Sequence, residues 1–413
     1  MAMYLSHKLY RDLFTPLCVY VSMWLACLLL FRLRLVNYFE LETRTVILVG
    51  TSIVAFALGC VIAGRGRRPD GKVLGVSVAL QQDRLILVIK TLLVLNFVGL
   101  LVFVFRMSSS YGLANYALDP SFIRGEAGDW THAGLLGLLL MLDYPLLVCS
   151  WIHRLRTSRW QWFSFLGLLL PVVQTYLKLD RGTLTVYVIT CLFVWIYWNG
   201  WRKVNWKIIR RLVMLGGLLF MYFLAIGLLL GKTVSGAMES SVYDVRDFNI
   251  SSAAGLALAS PYIYATGAFP TFQEAMADVH ELSWGAHSFY PIARLFYGLG
   301  ILKERPEGFM YSFYLVPIPF NTYTQLFAFY QDFGSPGVVF MPLFLGWFET
   351  RRYLQMRAHP DVFSLGATSA LMVLNVFSVF IPLITGVSLW YCLLILYWIS
   401  KYCVIRRPVL NPA

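Results

Sequence analysis

Thr45-Val-Ile-Leu-Val-Gly-Thr-Ser-Ile-Val-Ala-Phe-Ala-Leu-Gly-Cys-Val-Ile-Ala63 carries no charge. As a helix it is about as long as a bilayer's hydrocarbon core is thick, which takes roughly 20 residues. Outward from it, similar runs recur at Phe14 to Phe31, Leu85 to Phe105, Ala133 to Ile152, Gln161 to Leu177, Thr183 to Trp198, Leu212 to Gly231, Ser335 to Phe348, Val362 to Ile381 and Ser388 to Ser400. The chain of 413 residues is 59% hydrophobic and 13% charged. A soluble protein would expose such runs at a severe cost, so the predicted fold is an all-α polytopic membrane protein with about ten transmembrane helices.

The basic residues orient these helices. Most of the 34 Lys and Arg cluster in alternate short segments, such as Arg65 to Arg84, Arg154 to Arg159, Arg202 to Arg211 and Arg351 to Arg357. The positive-inside rule then places both termini in the cytoplasm and the long segment Lys232 to Gly334 outside. Inner segments come out strongly basic and outer ones slightly acidic. The net charge of +13 is therefore a topology signal, and no nucleic-acid partner is implied. The expected organisation is seven helices with short loops over 1–231, a large outer loop with short interfacial helices over 232–334, and three helices with a cytoplasmic C-terminal segment over 335–413.

Within the outer loop, Ser251 to Phe269 is rich in Ala and Gly and contains Pro261, which suits a re-entrant or interfacial helix. A crossing there would invert the later charge pattern. Six cysteines, Cys18, Cys27, Cys60, Cys149, Cys191 and Cys392, fall in apolar runs and Cys403 follows the last run, so the outer loops offer no thiol for a disulfide or zinc site. The first apolar run has no small-residue cleavage site and reads as an uncleaved anchor.

Two apparent motifs are set aside. Gly227 to Thr233 resembles a phosphate loop, but its first glycine is one residue too close and no βαβ context surrounds it. Asp278, His280 and Glu281 read as solvated surface, and Asp-x-Asp occurs nowhere in the chain. No metal and no cofactor is expected.

The charged residues at outer helix ends carry more information. Lys178, Asp180 and Arg181 form a short turn, Lys178-Leu-Asp-Arg-Gly182, between two apolar runs. Two readings stand for its cations: snorkelling anchors paired with Asp180, or a dock for an anionic lipid headgroup. Arg124, Arg246, His287 and Arg294 are the other outer groups, and Arg246 lies between Asp244 and Asp247 as a natural ion-pair partner. Lys90 and Asp143 lie inside apolar runs, where ionisable groups read as functional or as a mutual structural pair.

Asn321-Thr-Tyr-Thr-Gln-Leu-Phe-Ala-Phe-Tyr-Gln-Asp332-Phe-Gly334-Ser-Pro-Gly337 resembles the signature of the bacterial oligosaccharide repeat-unit polymerases, the Wzy-type O-antigen polymerases. Leu179-Asp-Arg181-Gly182 is similar to the Arg-Gly turn that those polymerases and the related O-antigen ligases carry earlier in the chain. The resemblance covers about Asp180 to Trp347. It implies a glycosyltransferase of the bacterial inner membrane, working at the periplasmic face in O-antigen or related surface polysaccharide synthesis. Such enzymes move a growing glycan from one undecaprenyl pyrophosphate carrier to a new lipid-linked repeat unit. The implied partners are undecaprenyl-pyrophosphate-linked glycans, membrane lipids and a chain-length regulator protein.

Under that reading Arg181 and Arg294 stabilise the departing pyrophosphate, with Arg124 next, and Lys178 and Arg246 near the substrate. Asp332, His287 and Asp180 are candidate bases for the acceptor hydroxyl. Tyr290, Tyr311, Tyr314 and Tyr323 are candidate sugar-stacking rings or an interfacial belt. Asn321 stands where the ligases place a histidine, so it either orients substrate or caps a helix, and Asp332 has an alternative as a helix cap. The alternatives are an O-antigen ligase, or a transporter or flippase of a lipid-linked sugar, which would place polar groups near the bilayer midplane and often show repeated halves.

Overall fold

The computed structural model describes residues 2–36, 38–65, 80–112, 134–200, 206–229, 261–304, 306, 312–316 and 319–403. In chain order the elements are α1 (Ala2–Tyr10), α2 (Pro16–Arg32), α3 (Thr43–Gly64), α4 (Gln82–Tyr111), α5 (Gly134–Leu140), α6 (Asp143–Thr157), α7 (Trp162–Leu177), α8 (Arg181–Asn199), α9 (Trp206–Leu229), α10 (Ala268–Ala277), α11 (Tyr290–Gly298), β1 (Tyr314–Leu315), β2 (Pro319–Phe320), α12 (Gln325–Ala358), α13 (Val362–Phe377) and α14 (Val387–Cys403). The two strands form one antiparallel pair that matches Tyr314 with Phe320. The protein is mostly helical. Among the described residues, four helical stretches are long and apolar enough to cross a membrane: Thr43–Gly64, Gln82–Ser110, Gly137–Thr157 and Gly182–Asn199. Shorter apolar helices are Pro16–Arg32, Trp162–Leu177, Val362–Phe377 and Val387–Cys403.

Local chemistry sets several of these boundaries. Thr15 caps α2 by accepting the Cys18 N–H at 3.3 Å, and Pro16 follows where its missing N–H costs nothing. Of the boundaries that differ from the sequence expectation, two bear on the packing. The helix expected from Ser335 begins at Gln325 and is broken at Gly334, whose φ of 63° and ψ of −153° suit glycine almost alone. The apolar run Ala133 to Ile152 is two helices, α5 and α6, parted by a turn at Met141 and Leu142.

The chain divides into two compact units, each assembled from three segments: Met1–Asp70, Gly231–Leu354 and Leu371–Trp390 in the first, and Gly71–Leu230, Gln355–Ala370 and Tyr391–Ala413 in the second. The core of the first unit is aromatic. Tyr20 stacks on Phe56 with centroids 3.8 Å apart, and Trp24, Phe269, Phe272 and Phe329 are buried in the same cluster. Trp24 donates from Nε1 to Ser378 Oγ at 2.8 Å, which satisfies the indole where it is buried. α3 and α12 cross at backbone contact: a Cβ on Gly59 would stand 2.0 Å from the Leu343 carbonyl oxygen, and one on Gly346 2.2 Å from that of Phe56. Small residues let helices approach where no hydrophobic drive separates protein from lipid.

The second unit packs α4, α6, α7 and α8 around a buried polar network. At the break after α5 the Leu139 carbonyl accepts the Leu142 N–H at 3.3 Å, and side chains from other helices also donate to the Leu139 and Leu140 carbonyls, since unsatisfied buried carbonyls are costly. Asn96 Nδ2 reaches both, at 3.2 and 3.4 Å, and Gln174 Nε2 reaches Leu140 at 2.8 Å. Gln174 also donates to Asp143 at 3.0 Å and accepts from Asn96 at 3.2 Å. Asp143 further accepts the Tyr187 hydroxyl and the Tyr144 N–H, the latter at 2.7 Å. Lys90 is engaged elsewhere, with its ammonium 5.9 Å from the Trp162 ring and 5.6 Å from that of Phe163. Of the two readings open for Lys90 and Asp143, the mutual pair is not formed: each has partners of its own.

Candidate functional site

In the first unit the site begins with Asp332, near the end of the first part of α12 and fully buried. Its two carboxylate oxygens accept the backbone N–H groups of His287 at 3.0 Å and Ser288 at 2.6 Å. The same turn is tied twice more, by the Ser283 N–H to the Gln331 carbonyl at 3.0 Å and the Trp284 N–H to the Asp332 carbonyl at 3.1 Å. Charge-assisted bonds to a buried carboxylate are among the stronger ones a protein makes. The Asp332 carboxylate therefore latches the loop that leads into α11. It does not cap the helix that follows Gly334.

That latched loop carries two other candidates. His287 is half-buried on the turn itself. Arg294 lies on α11, its guanidinium carbon 5.7 Å from the Tyr297 centroid and its Nη1 buried with no hydrogen-bond partner. Tyr290 opens the same helix, half-buried, beside Pro291.

The tyrosines divide. Tyr323 is 1% exposed, stacked on Phe327 at 4.9 Å, and donates its hydroxyl to the Ser312 carbonyl. Its ring belongs to the core, so the expected sugar-stacking role is corrected. Tyr314 keeps part of its ring exposed and donates to Asp278 Oδ2 at 2.5 Å. Burial, then the bond to Asp278, raises its phenol above the ordinary value. Asn321 lies half-buried between β2 and α12. The α12 start is bound instead through the Thr324 carbonyl, which accepts the Phe327 N–H at 3.1 Å. Arg124, Arg246 and Tyr311, with the whole segment from 232 to 260, lie outside the described residues.

In the second unit the candidates sit on the α7–α8 turn. Leu179 takes a left-handed φ of 52°, which ends α7 sharply at a non-glycine residue. Asp180 caps α8 by accepting the Thr183 N–H at 3.1 Å and its hydroxyl at 2.6 Å. Arg181 is the first residue of α8; its side chain lies outside the described residues. A Cβ on Gly182 would meet only Asp180 Oδ1, at an ordinary 3.4 Å. Lys178 closes α7, half-buried. Burial lowers its ammonium below the ordinary lysine range, and the fields of Asp143 and Asp180 oppose that without reversing it.

The structure thus brings Asp332, His287, Tyr290 and Arg294 onto one latched loop, and Lys178, Asp180 and Arg181 onto one turn. Sequence reading missed Asn96, Gln174 and Tyr187 around Asp143; their signal was a polar side chain inside an apolar run. It also missed Glu349, 2% exposed, which accepts from Asn375 Nδ2 at 2.5 Å, and Arg44, whose Nη2 donates to the Tyr330 hydroxyl at 2.7 Å. Among the described residues no three His, Cys, Asp or Glu side chains stand together as a metal site. No protein-family model, curated protein or solved structure matches the chain.

Proposed function

We propose that this protein is a membrane glycosyltransferase that polymerises undecaprenyl-pyrophosphate-linked repeat units at the periplasmic face of the bacterial inner membrane, with about ten spans, both termini cytoplasmic and the 232–334 loop outside. The observation that carries this reading is the α7–α8 turn, the more so because it contains the Arg-Gly pair of the family resemblance. A strained residue and a carboxylate cap hold it rigidly, and its Gly182 meets no steric demand from the described chain. A helix start next to an arginine suits an approaching phosphate.

In the proposed reaction an acceptor hydroxyl oxygen bonds to the anomeric carbon of the donor glycan as the bond from that carbon to the pyrophosphate oxygen breaks. The acceptor proton passes to a general base, and the electron pair leaves with the lipid pyrophosphate, whose charge Arg181 stabilises. Asp332 holds the His287 turn in the other unit. The test incubates purified protein with a lipid-pyrophosphate-linked repeat unit, with and without a chelator. A ladder of longer products in both is expected; no ladder in either overturns the assignment. Transfer to a lipid A core acceptor alone would favour the ligase. Translocation of the lipid without new glycosidic bonds would favour the transporter, for which the Asn96, Asp143 and Gln174 network supplies a polar interior.

A further inference from the structure

α11 is turned opposite to a helix of a soluble domain. None of its nine residues is buried. The residues most open to the surroundings are its apolar ones, with Leu295 59% and Ile292 50% exposed, while Arg294 lies on the less exposed side. The flanks continue the pattern, with Trp284 79%, Leu299 65% and Ile301 63% exposed. Leaving large apolar side chains in water rather than covering them is costly, so a run of such exposed residues calls for an occupant.

We propose that α11 and its flanking turns form a platform seated in the headgroup region of an anionic phospholipid bilayer, with Arg294 holding a lipid phosphate. Three observations favour lipid over a protein partner. The same unit contains α3, one of the helices long and apolar enough to cross a membrane, which suits a bilayer beside it. The surface mixes Trp284, Tyr297 and Arg294 with aliphatic residues, the composition of the membrane–water boundary, where aromatic rings anchor and cations meet phosphate. Arg294 Nη1 is a buried donor without an acceptor in the protein, which a phosphate oxygen would satisfy. Rigidity comes from the Asp332 latch, which fixes the loop before α11 and so lowers the entropy lost on docking.

The inference is independent of the enzyme reading, and so is its test. Full-length protein with the photoreactive residue p-benzoylphenylalanine at position 295, and in a second preparation at 299, is placed in nanodiscs of phosphatidylglycerol and irradiated. A third preparation carries it at Glu281, an exposed polar position. Phosphatidylglycerol adducts several-fold more abundant at 295 and 299 than at 281 are expected by mass spectrometry. Arg294→Gln is expected to reduce the preference for phosphatidylglycerol over phosphatidylcholine adducts. Adducts confined to a second protein copy, or lipid adducts no more frequent than at 281, overturn the proposal.

Discussion

The Asp332 loop and the α7–α8 turn both contain residues of the family resemblance, yet the fold explains them to different degrees. In the first, Asp332, Gly334 and Gly337 each have an internal reason. Asp332 spends both oxygens on backbone amides, Gly334 takes a backbone conformation suited to glycine, and a Cβ on Gly337 would stand 2.3 Å from the Phe329 carbonyl oxygen. In the second, Asp180 is explained by its cap, but Gly182 is not explained by any close contact and Lys178 is held at a cost to its charge. Residues that the fold requires are poor evidence of chemistry. The turn whose residues the fold leaves unexplained is the better place to look for a ligand.

The comparison breaks most visibly at Asp332. Asp332→Ala strands the His287 and Ser288 N–H groups, at about 1–3 kcal/mol for each unsatisfied buried donor. A large drop in the thermal unfolding temperature in detergent is expected, with product loss following the loss of folded protein. An unchanged unfolding temperature with no product would instead move Asp332 into the reaction.

Arg181→Lys comes next. A lysine keeps the charge but loses the planar fork, and removing a donor that acts in the transition state costs about 2.7–4 kcal/mol, a hundredfold or more in rate. Ladder formation at matched expression is expected to fall by that much, while Arg159→Lys, at an exposed position, leaves it unchanged. Near-normal product from Arg181→Lys would make that residue an anchor.

Gly182→Ala sharpens the same contrast. Within the first turn of α8, alanine is expected to leave stability unchanged or raise it by about 0.5–1 kcal/mol, since glycine is the poorer helix former. Product formation is nevertheless expected to drop, because the methyl group fills the space an incoming phosphate would use. Full activity would show that the glycine serves no ligand.

The smallest expected effect concerns Lys178. The folded protein holds this proton less tightly than the unfolded chain, whose lysine titrates near 10.5. The unfolded state therefore binds more protons between the lowered folded pKa and that value, and stability rises with pH across the window. From neutral pH to about 10, the unfolding temperature of the wild type is expected to gain on that of Lys178→Met. A wild type that loses ground instead would mean that Asp143 and Asp180 outweigh burial.

Much of the architecture was legible because membrane helices announce themselves locally. The run Thr45 to Ala63 is uncharged and long, and α3 spans Thr43–Gly64. The Leu179 to Gly182 turn was likewise visible as a charged interruption between apolar runs, because a polar cap and a helix end are decided by a few adjacent residues. The break between α5 and α6 was not legible. Met141 and Leu142 are as apolar as their neighbours, and what makes the break tolerable is Asn96 and Gln174 on two other helices.

By itself, the sequence determined that this is a largely apolar, helical chain with stretches long enough to cross a membrane, and that a charged turn, Lys178 to Gly182, separates two of its apolar runs. Only the tertiary structure decided that Asp332 latches the His287 loop, that Tyr323 is core, and that α11 turns its apolar residues outward. Hydropathy and capping act between near neighbours in the chain, whereas these outcomes depend on which hydrogen-bond partners and packing surfaces distant segments bring together.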